Sequence, residues 1–254
     1  MIKLDNVEIK PTIFPDGTSQ VWKLPEDLLE RLYAKGQATI TWDFRKESEL
    51  IHIAQLKDLL DTYNILVDLN VPYLPYARQD KRVSNESTFA LRTFAKLINA
   101  MSFSRVITFD VHSDKTRTLI PALRNYEPYM EIDSARGMCG ADELLFPDAG
   151  AFNRYAPLFG KWGRTMPCAT KDRDPKTGYI TNVQIQGDVK DKSILIVDDL
   201  CDAGGTFILV AKAAYEKGAK EVHLYVTHGL FTKGVKRLTD AGIKRIFTYE
   251  GEMD

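Results

Sequence analysis

The segment ILIVDDLCDAGGTF, residues 194–207, constrains the fold more than any other stretch of the chain. Ile194 to Val197 form a short apolar run that suits a buried strand. The chain then turns acidic at Asp198, Asp199 and Asp202, and immediately afterwards reaches Gly204, Gly205 and Thr206, where a helical pattern begins. A strand–turn–helix junction of this kind belongs to α/β proteins with mostly parallel sheets, in which ligands sit beyond the carboxyl ends of the strands. The glycines permit a tight turn whose N–H groups, helped by the helix dipole, attract an anion, and Thr206 adds a hydroxyl donor. Carboxylates repel that anion, so they need another part of the same ligand. Vicinal hydroxyls fit, because one carboxylate accepts hydrogen bonds from two of them. A magnesium ion held directly or through water also fits. A ribose carrying a 5′-phosphate offers both ends. The alternative reading is a polar junction with its acids in solvent.

The rest of the chain repeats the strand-then-helix pattern. Candidate strands are Ile65–Tyr73, Arg105–Asp110, Leu144–Phe146, Thr165–Ala169, Ser193–Asp198, Val222–Thr227 and Arg245–Tyr249. Candidate helices are Glu86–Met101, capped by Ser84 or Asn85, then Thr206–Lys217 ending at Gly218, and Lys233–Ala241 ending at Gly242. Two strand ends look alike: VITFDVHSD carries Asp110 and Asp114, and ILIVDDLCD carries Asp198 and Asp202. This weak internal likeness suggests two related halves, with a boundary where RNYEPYMEIDS, residues 124–134, interrupts the pattern. The expected domains are residues 1–128 and 129–254.

Composition excludes several classes. With 34 basic and 35 acidic residues the formal net charge is −1, which argues against a general nucleic-acid or membrane binder. The three cysteines, Cys139, Cys168 and Cys201, form neither a disulfide framework nor a zinc pattern. The N-terminal segment is charged throughout, unlike a signal peptide, and no run approaches a membrane span. A cytoplasmic location is the resulting expectation.

Five stretches in their order along the chain resemble the phosphoribosyl pyrophosphate synthetase (ribose-phosphate pyrophosphokinase) family. VDDLCDAGGT is similar to the ribose-phosphate loop shared by phosphoribosyltransferase-fold proteins. PYARQDKR, Pro75–Arg82, resembles the synthetases' nucleotide-binding segment. TFDVHSD, Thr108–Asp114, resembles the segment bearing their nucleotide- and metal-site histidine. FPDAG, Phe146–Gly150, resembles their SPDAGG-type loop, and ATKDRDP, Ala169–Pro175, the start of their catalytic loop with its Lys-x-Arg. A shorter match, IFPDGTSQ at Ile13–Gln20, is similar to the FSDGE turn that reaches a neighbouring subunit's nucleotide.

The resemblance implies two phosphoribosyltransferase-like domains, the first binding nucleotide and the second binding ribose phosphate and carrying the catalytic loop. The implied reaction transfers the β,γ-diphosphoryl group of ATP to the C1 hydroxyl of ribose 5-phosphate, releasing AMP. Lys171 and Arg173 would then be transition-state cations in a polar lid. Arg78, Gln79, Asp80 and His112 would hold ATP, with Phe14 and Asp16 reaching the adenine across a subunit interface. Asp198 and Asp199 would take the ribose hydroxyls, and Asp202, Ala203, Gly204, Gly205 and Thr206 the 5′-phosphate. Mg2+ would sit near His112 and Asp148. Each residue also has a plain reading: Asp148 suits a helix N-cap, Phe14 a core position, and Asp80 and Lys81 a salt bridge. His52, His223 and His228 read as structural. A homodimer or higher homo-oligomer is implied.

Four departures from the family pattern bear on these expectations. The N-terminal region is shortened and rearranged around TWDFRKESEL, with Thr18 where the FSDGE turn has glutamate. The family's C-terminal segment has no counterpart here. Ala203 stands where a threonine is common. A hydroxyl donor to a terminal phosphate is worth about 0.5–1.5 kcal/mol, so its loss, with the space it clears, raises a larger 5′-substituted acceptor such as ADP-ribose as an alternative. A non-catalytic synthetase-associated subunit is a second alternative, which the retained Lys171, Arg173, Asp198 and Asp199 count against.

Overall fold

In the computed structural model, residues 1–160, 165–173 and 180–253 are described. They form two compact units, Met1–Glu127 and Pro128–Asp254.

The first unit opens with β1 (Ile2–Leu4) and β2 (Val7–Ile9), a hairpin, followed by a second small hairpin, β3 (Thr12–Ile13) and β4 (Ser19–Gln20). Then come α1 (Glu26–Lys35), β5 (Gln37–Trp42), α2 (Glu49–Thr62), β6 (Leu66–Asn70), α3 (Ala90–Ala100), β7 (Arg105–Phe109), α4 (Lys115–Leu119) and β8 (Leu123–Tyr126). The six-stranded sheet has the order β2-β1-β5-β6-β7-β8, parallel from β5 to β8 and antiparallel at the β1 edge. Its strand β5 alternates, burying Ala38, Ile40 and Trp42. Helix α3 buries Leu91, Phe94, Ala95 and Ile98, the i, i+3, i+4, i+7 stripe of a helix lying on a sheet.

Helix α3 starts at Ala90, four residues after the sequence pattern suggests, and neither Ser84 nor Asn85 caps it. The cause is local competition. Ser87 Oγ accepts the N–H groups of Val83 (2.8 Å) and Ser84 (3.0 Å) and donates to Ser84 O (2.9 Å), so these residues satisfy their backbone in a turn instead.

The second unit runs α5 (Tyr129–Cys139), β9 (Glu143–Leu145), α6 (Ala149–Tyr155), β10 (Cys168–Arg173), β11 (Ile180–Gln186), β12 (Ser193–Cys201), α7 (Gly205–Glu216), β13 (Glu221–Gly229), α8 (Lys236–Asp240), β14 (Ile243–Thr248) and β15 (Gly251–Glu252). Its five-stranded sheet, β15-β14-β13-β12-β9, is parallel except for the β15 edge. Strand β12 lies between two parallel neighbours, which is why it is apolar on both faces from Ile194 to Val197. Helix α7 covers it with Phe207, Val210, Ala211 and Ala214. Strands β10 and β11 pair as a separate antiparallel ribbon. The expected strand Thr165–Ala169 therefore begins late, at Cys168, and continues to Arg173, because the ladder to β11 extends through the polar residues.

Candidate active site

In the first unit, β7 ends at Phe109 and the chain turns sharply. Asp110 is buried and left-handed, with φ 49°, a conformation that aspartate tolerates better than most residues. Its N–H donates to Tyr126 O at 2.8 Å, and the next N–H, of Val111, donates to Asn125 Oδ1 at 2.8 Å. These bonds fix the backbone just before the half-buried His112. Ser113 Oγ donates to Asp80 Oδ2 at 2.8 Å, and Lys115 Nζ lies 3.5 Å from the same oxygen. The segment PYARQDKR is thereby tied to the segment bearing His112. Burial works to raise the Asp80 pKa, but Ser113, Lys115 and the positive field of His112 outweigh it and hold the carboxyl below its ordinary range. Arg78 and Gln79 are exposed beside this anchor. Tyr76, just before them, is also left-handed at φ 65°, which costs roughly 1–3 kcal/mol in a bulky residue. Its hydroxyl donates to Glu47 and its ring packs 5.1 Å from Phe94. Burial, then Glu47, pushes this hydroxyl up to about 12, so it stays a donor at neutral pH.

Phe14 and Asp16 sit on the turn of the β3–β4 hairpin. Asp16 Oδ1 accepts from Thr18 N at 2.9 Å and Thr18 Oγ1 at 2.7 Å, so the Thr18 hydroxyl braces the turn. Phe14 is half-buried, 6.1 Å from Trp22, and is not among the core residues of its unit.

In the second unit the acidic strand end and the glycine turn are contiguous. Asp198 is half-buried and Asp199 is buried, and the Asp199 N–H donates to Asp198 Oδ1 at 2.9 Å. Burial pushes the Asp198 carboxyl well above its ordinary range, and the negative fields of Asp199 and Asp148 add to the shift. Asp202 is exposed, and its Oδ1 accepts from Thr232 Oγ1 at 2.5 Å. Gly204 is left-handed with φ 77°, and a Cβ there would lie 2.8 Å from Leu238 Cδ2. Gly205 differs: it opens α7, and a Cβ added to it meets nothing within 4 Å. No side chain caps α7, so its first N–H groups are offered to whatever approaches Ala203–Thr206.

Asp148 caps α6, accepting from Ala151 N at 3.0 Å, and its Oδ2 accepts from Lys171 Nζ at 2.8 Å. The plain N-cap reading of Asp148 and its place beside a catalytic candidate therefore coexist. Burial opposes ionisation of Asp148, but Lys171 and the backbone donors outweigh it and lower its pKa. The expectation of a polar loop at Lys171 is corrected. Lys171 lies within β10, its side chain 7% exposed, because it turns inward to the Asp148 carboxylate. Arg173 closes the same strand; its side chain, like residues 174–179, lies outside the described residues.

The described residues contain no group of three or more His, Cys, Asp or Glu side chains able to hold a metal. Mg2+ commonly takes one or two carboxylates and fills its remaining positions with phosphate oxygens and water. Asp148 in the second unit is a carboxylate of that kind.

Two residues at the site escape a motif reading. Arg154, on the last turn of α6, places Nη1 3.7 Å from Asp199 Oδ2. Thr232 comes from the loop after β13, and its backbone N–H also bonds to Asp202 O at 3.2 Å. The signal for Thr232 is topological: β13 neighbours β12 in register up to Cys201 and Gly229, so their following loops must meet.

A mostly parallel sheet with an interior strand that releases carboxylates into a glycine turn and helix N-terminus defines a phosphoribosyltransferase-like protein. Residues 155–254 match the phosphoribosyl transferase domain family. The chain is 31% identical over 243 residues to a ribose-phosphate pyrophosphokinase of Pyrococcus abyssi, covering 94% of this chain and 81% of the relative. It is 28% identical over 254 residues to that of Sulfolobus acidocaldarius, covering 95% and 84%. The fold resembles a crystal structure of phosphoribosylpyrophosphate synthetase from Mycobacterium smegmatis, with a TM-score of 0.67 at 22% identity over 85% of this chain and 77% of that one. The chain belongs to the ribose-phosphate pyrophosphokinase family.

Proposed function

We infer that this enzyme catalyses ATP-dependent synthesis of phosphoribosyl pyrophosphate. The C1 hydroxyl oxygen of ribose 5-phosphate attacks the β-phosphorus of ATP, the bond to the AMP oxygen breaks, and AMP leaves. The observation that carries the reading is the β12 strand end: a carboxylate pair followed within a few residues by an uncapped helix N-terminus behind a left-handed glycine. Asp198 and Asp199 bind the sugar hydroxyls, and the turn Asp202–Thr206 binds the 5′-phosphate. Arg78, Gln79, Asp80 and His112 bind the nucleotide.

Phosphoryl-group transfer is catalysed mainly by positioning and by cations at the oxygens where charge develops. Lys171 and Arg173 supply those cations. Bound with ATP, Mg2+ would neutralise phosphate charge; His112 on the nucleotide side and Asp148 on the ribose side are the residues that would hold it. Lys171 must exchange its Asp148 partner for phosphate oxygens, which makes the recorded ion pair the resting arrangement. Phe14 and Asp16 meet the adenine of a neighbouring copy, so the enzyme works as a homodimer or larger homo-oligomer. Among the described residues no helix is long and apolar enough to cross a membrane.

An AMP-release assay with ATP, Mg2+ and one acceptor at a time tests the reading. Turnover with ribose 5-phosphate is expected. The names of the relatives give no support to a larger acceptor, but half-buried Ala203 carries no hydroxyl toward the phosphate, so ADP-ribose is the second acceptor to offer. Turnover with ADP-ribose alone would replace the acceptor and keep the chemistry. No AMP from either would favour the non-catalytic subunit.

A further inference from the structure

Arg154 lies four residues beyond the FPDAG stretch and stands beside one of the two adjacent carboxylates, Asp199. It lies in the last turn of α6, a seven-residue helix engaged with site groups at both ends. At its start Asp148 binds Lys171; at its end Arg154 Nη1 stands 3.7 Å from Asp199 Oδ2. The Arg154 side chain is 21% exposed and that of Asp199 9%, so the pair is screened far less than a surface ion pair. Its guanidinium lies over the ring of Tyr155, 5.8 Å from the centroid. Tyr155 is fully buried and stacks with Phe146, with ring centroids 6.4 Å apart. The cation therefore rests on a fixed part of the core.

Adjacent carboxylates at one strand end disfavour each other's charge, and each can rotate to separate from the other. A neighbouring cation can hold both the charge and the orientation of Asp199. A planar guanidinium does both, and it is always protonated. We propose that Arg154 is a positioning residue for the sugar acceptor, holding the Asp199 carboxylate in the orientation that receives the ribose hydroxyls. This rests on the acceptor site proposed above. It predicts that Arg154 controls acceptor affinity, with little influence on the nucleotide or on the transfer step.

The test is steady-state kinetics of Arg154→Ala, Arg154→Lys, Asp199→Asn and the Arg154→Ala/Asp199→Asn double variant, alongside thermal unfolding of all four. Arg154→Ala should raise the acceptor KM at least tenfold, change kcat less than about threefold, and leave the ATP KM within about twofold. Arg154→Lys, which keeps the charge but loses the fork, should recover part of the acceptor KM. In the double variant the Arg154 effect should vanish, because its target carboxylate is gone. Three results overturn the proposal: an unchanged acceptor KM in Arg154→Ala, an Arg154 effect that persists undiminished without the Asp199 charge, or coupling seen in unfolding temperature but not in acceptor KM. A wild-type enzyme that turns over neither ribose 5-phosphate nor ADP-ribose contradicts the acceptor site itself, and Arg154's role falls with it. An active wild type with an indifferent Arg154→Ala contradicts this proposal alone.

Discussion

The strand ends after β7 and β12 present acids in similar sequence patterns but store their tension differently. After β7 the cost is carried by the backbone. Asp110 and nearby Tyr76 are non-glycine residues with φ 49° and 65°, while Asp80 is matched by Ser113 and Lys115. After β12 a glycine takes the left-handed position, and the cost lies in charge: Asp198 is burdened by burial and by the fields of Asp199 and Asp148. A backbone held in an uncommon conformation fixes the direction of a segment, which suits gripping a nucleotide with exposed Arg78 and Gln79. Compressed carboxylates are poised to gain when hydroxyl donors or cations arrive. The two units should therefore answer substitution differently, the first through nucleotide affinity and the second through acceptor binding or turnover, with stability moving where a charge or a backbone position is disturbed.

The largest expected effect is at Lys171. Lys171→Ala removes the proposed transition-state cation and the ion pair with Asp148. A loss of about 10²–10³ in kcat is expected, with little change in acceptor KM and a lower unfolding temperature at neutral pH. Full turnover would remove Lys171 from the catalytic role. Arg78→Ala sharpens the contrast from the other side. Losing one charge-assisted hydrogen bond of about 1.5–3 kcal/mol should raise the ATP KM roughly 10- to 100-fold. Its unfolding temperature should not move, because the residue is exposed; a clear drop would show that the first unit also couples binding to stability.

The glycine turn offers a matched pair. Gly204→Ala must place a Cβ at φ 77° and 2.8 Å from Leu238 Cδ2, so destabilisation of about 1–3 kcal/mol is expected by denaturant unfolding. Gly205→Ala has open space, so its stability should hold or rise by about 0.4–1 kcal/mol. The added methyl should nevertheless raise the acceptor KM several-fold, since the phosphate approaches there. Equal stability losses at both positions would contradict the geometry of the turn.

The smallest stability effect concerns pH. Folding raises the Asp198 pKa, so the folded state holds that proton more tightly than the unfolded chain. The stability this contributes is present below the ordinary aspartate pKa and lost as pH rises through the folded value. Asp198→Asn should therefore raise the unfolding temperature at pH 7, with the gain shrinking as pH falls toward 4, while acceptor turnover is lost. A variant that melts lower at pH 7 would show that the pair is not under charge compression.

Legibility in the sequence followed how each element meets its surroundings. Strands β7, β12 and β13 and helix α7 are plain because their apolar runs and stripes answer to local periodicity. Strand β5 and helix α2 are harder to see. The buried face of α2 includes Glu49, His52 and Lys57, residues that mimic an exposed surface. Lys57 is paired within the helix, with Asp61 one turn on at 2.6 Å, but Glu49 and His52 depend on partners outside it. Glu49 accepts from the Trp42 indole at 2.9 Å and from the amino terminus at 3.2 Å, and His52 Nε2 lies 2.6 Å from Ser19 Oγ. The candidate site divides in the same way. Asp198, Asp199 and the glycines can be read from one segment, whereas Arg154 and Thr232 reach it through α6 and the loop after β13. The Lys171–Asp148 pair joins residues 23 positions apart and likewise needs the fold to be seen.

The most direct test of the account is a crystal soaked with the sugar phosphate. The ribose hydroxyls should lie on Asp198 and Asp199, with the terminal phosphate against the N–H groups of residues 203–206. A sugar bound elsewhere, with the β12 strand end vacant at saturating ligand, would contradict it.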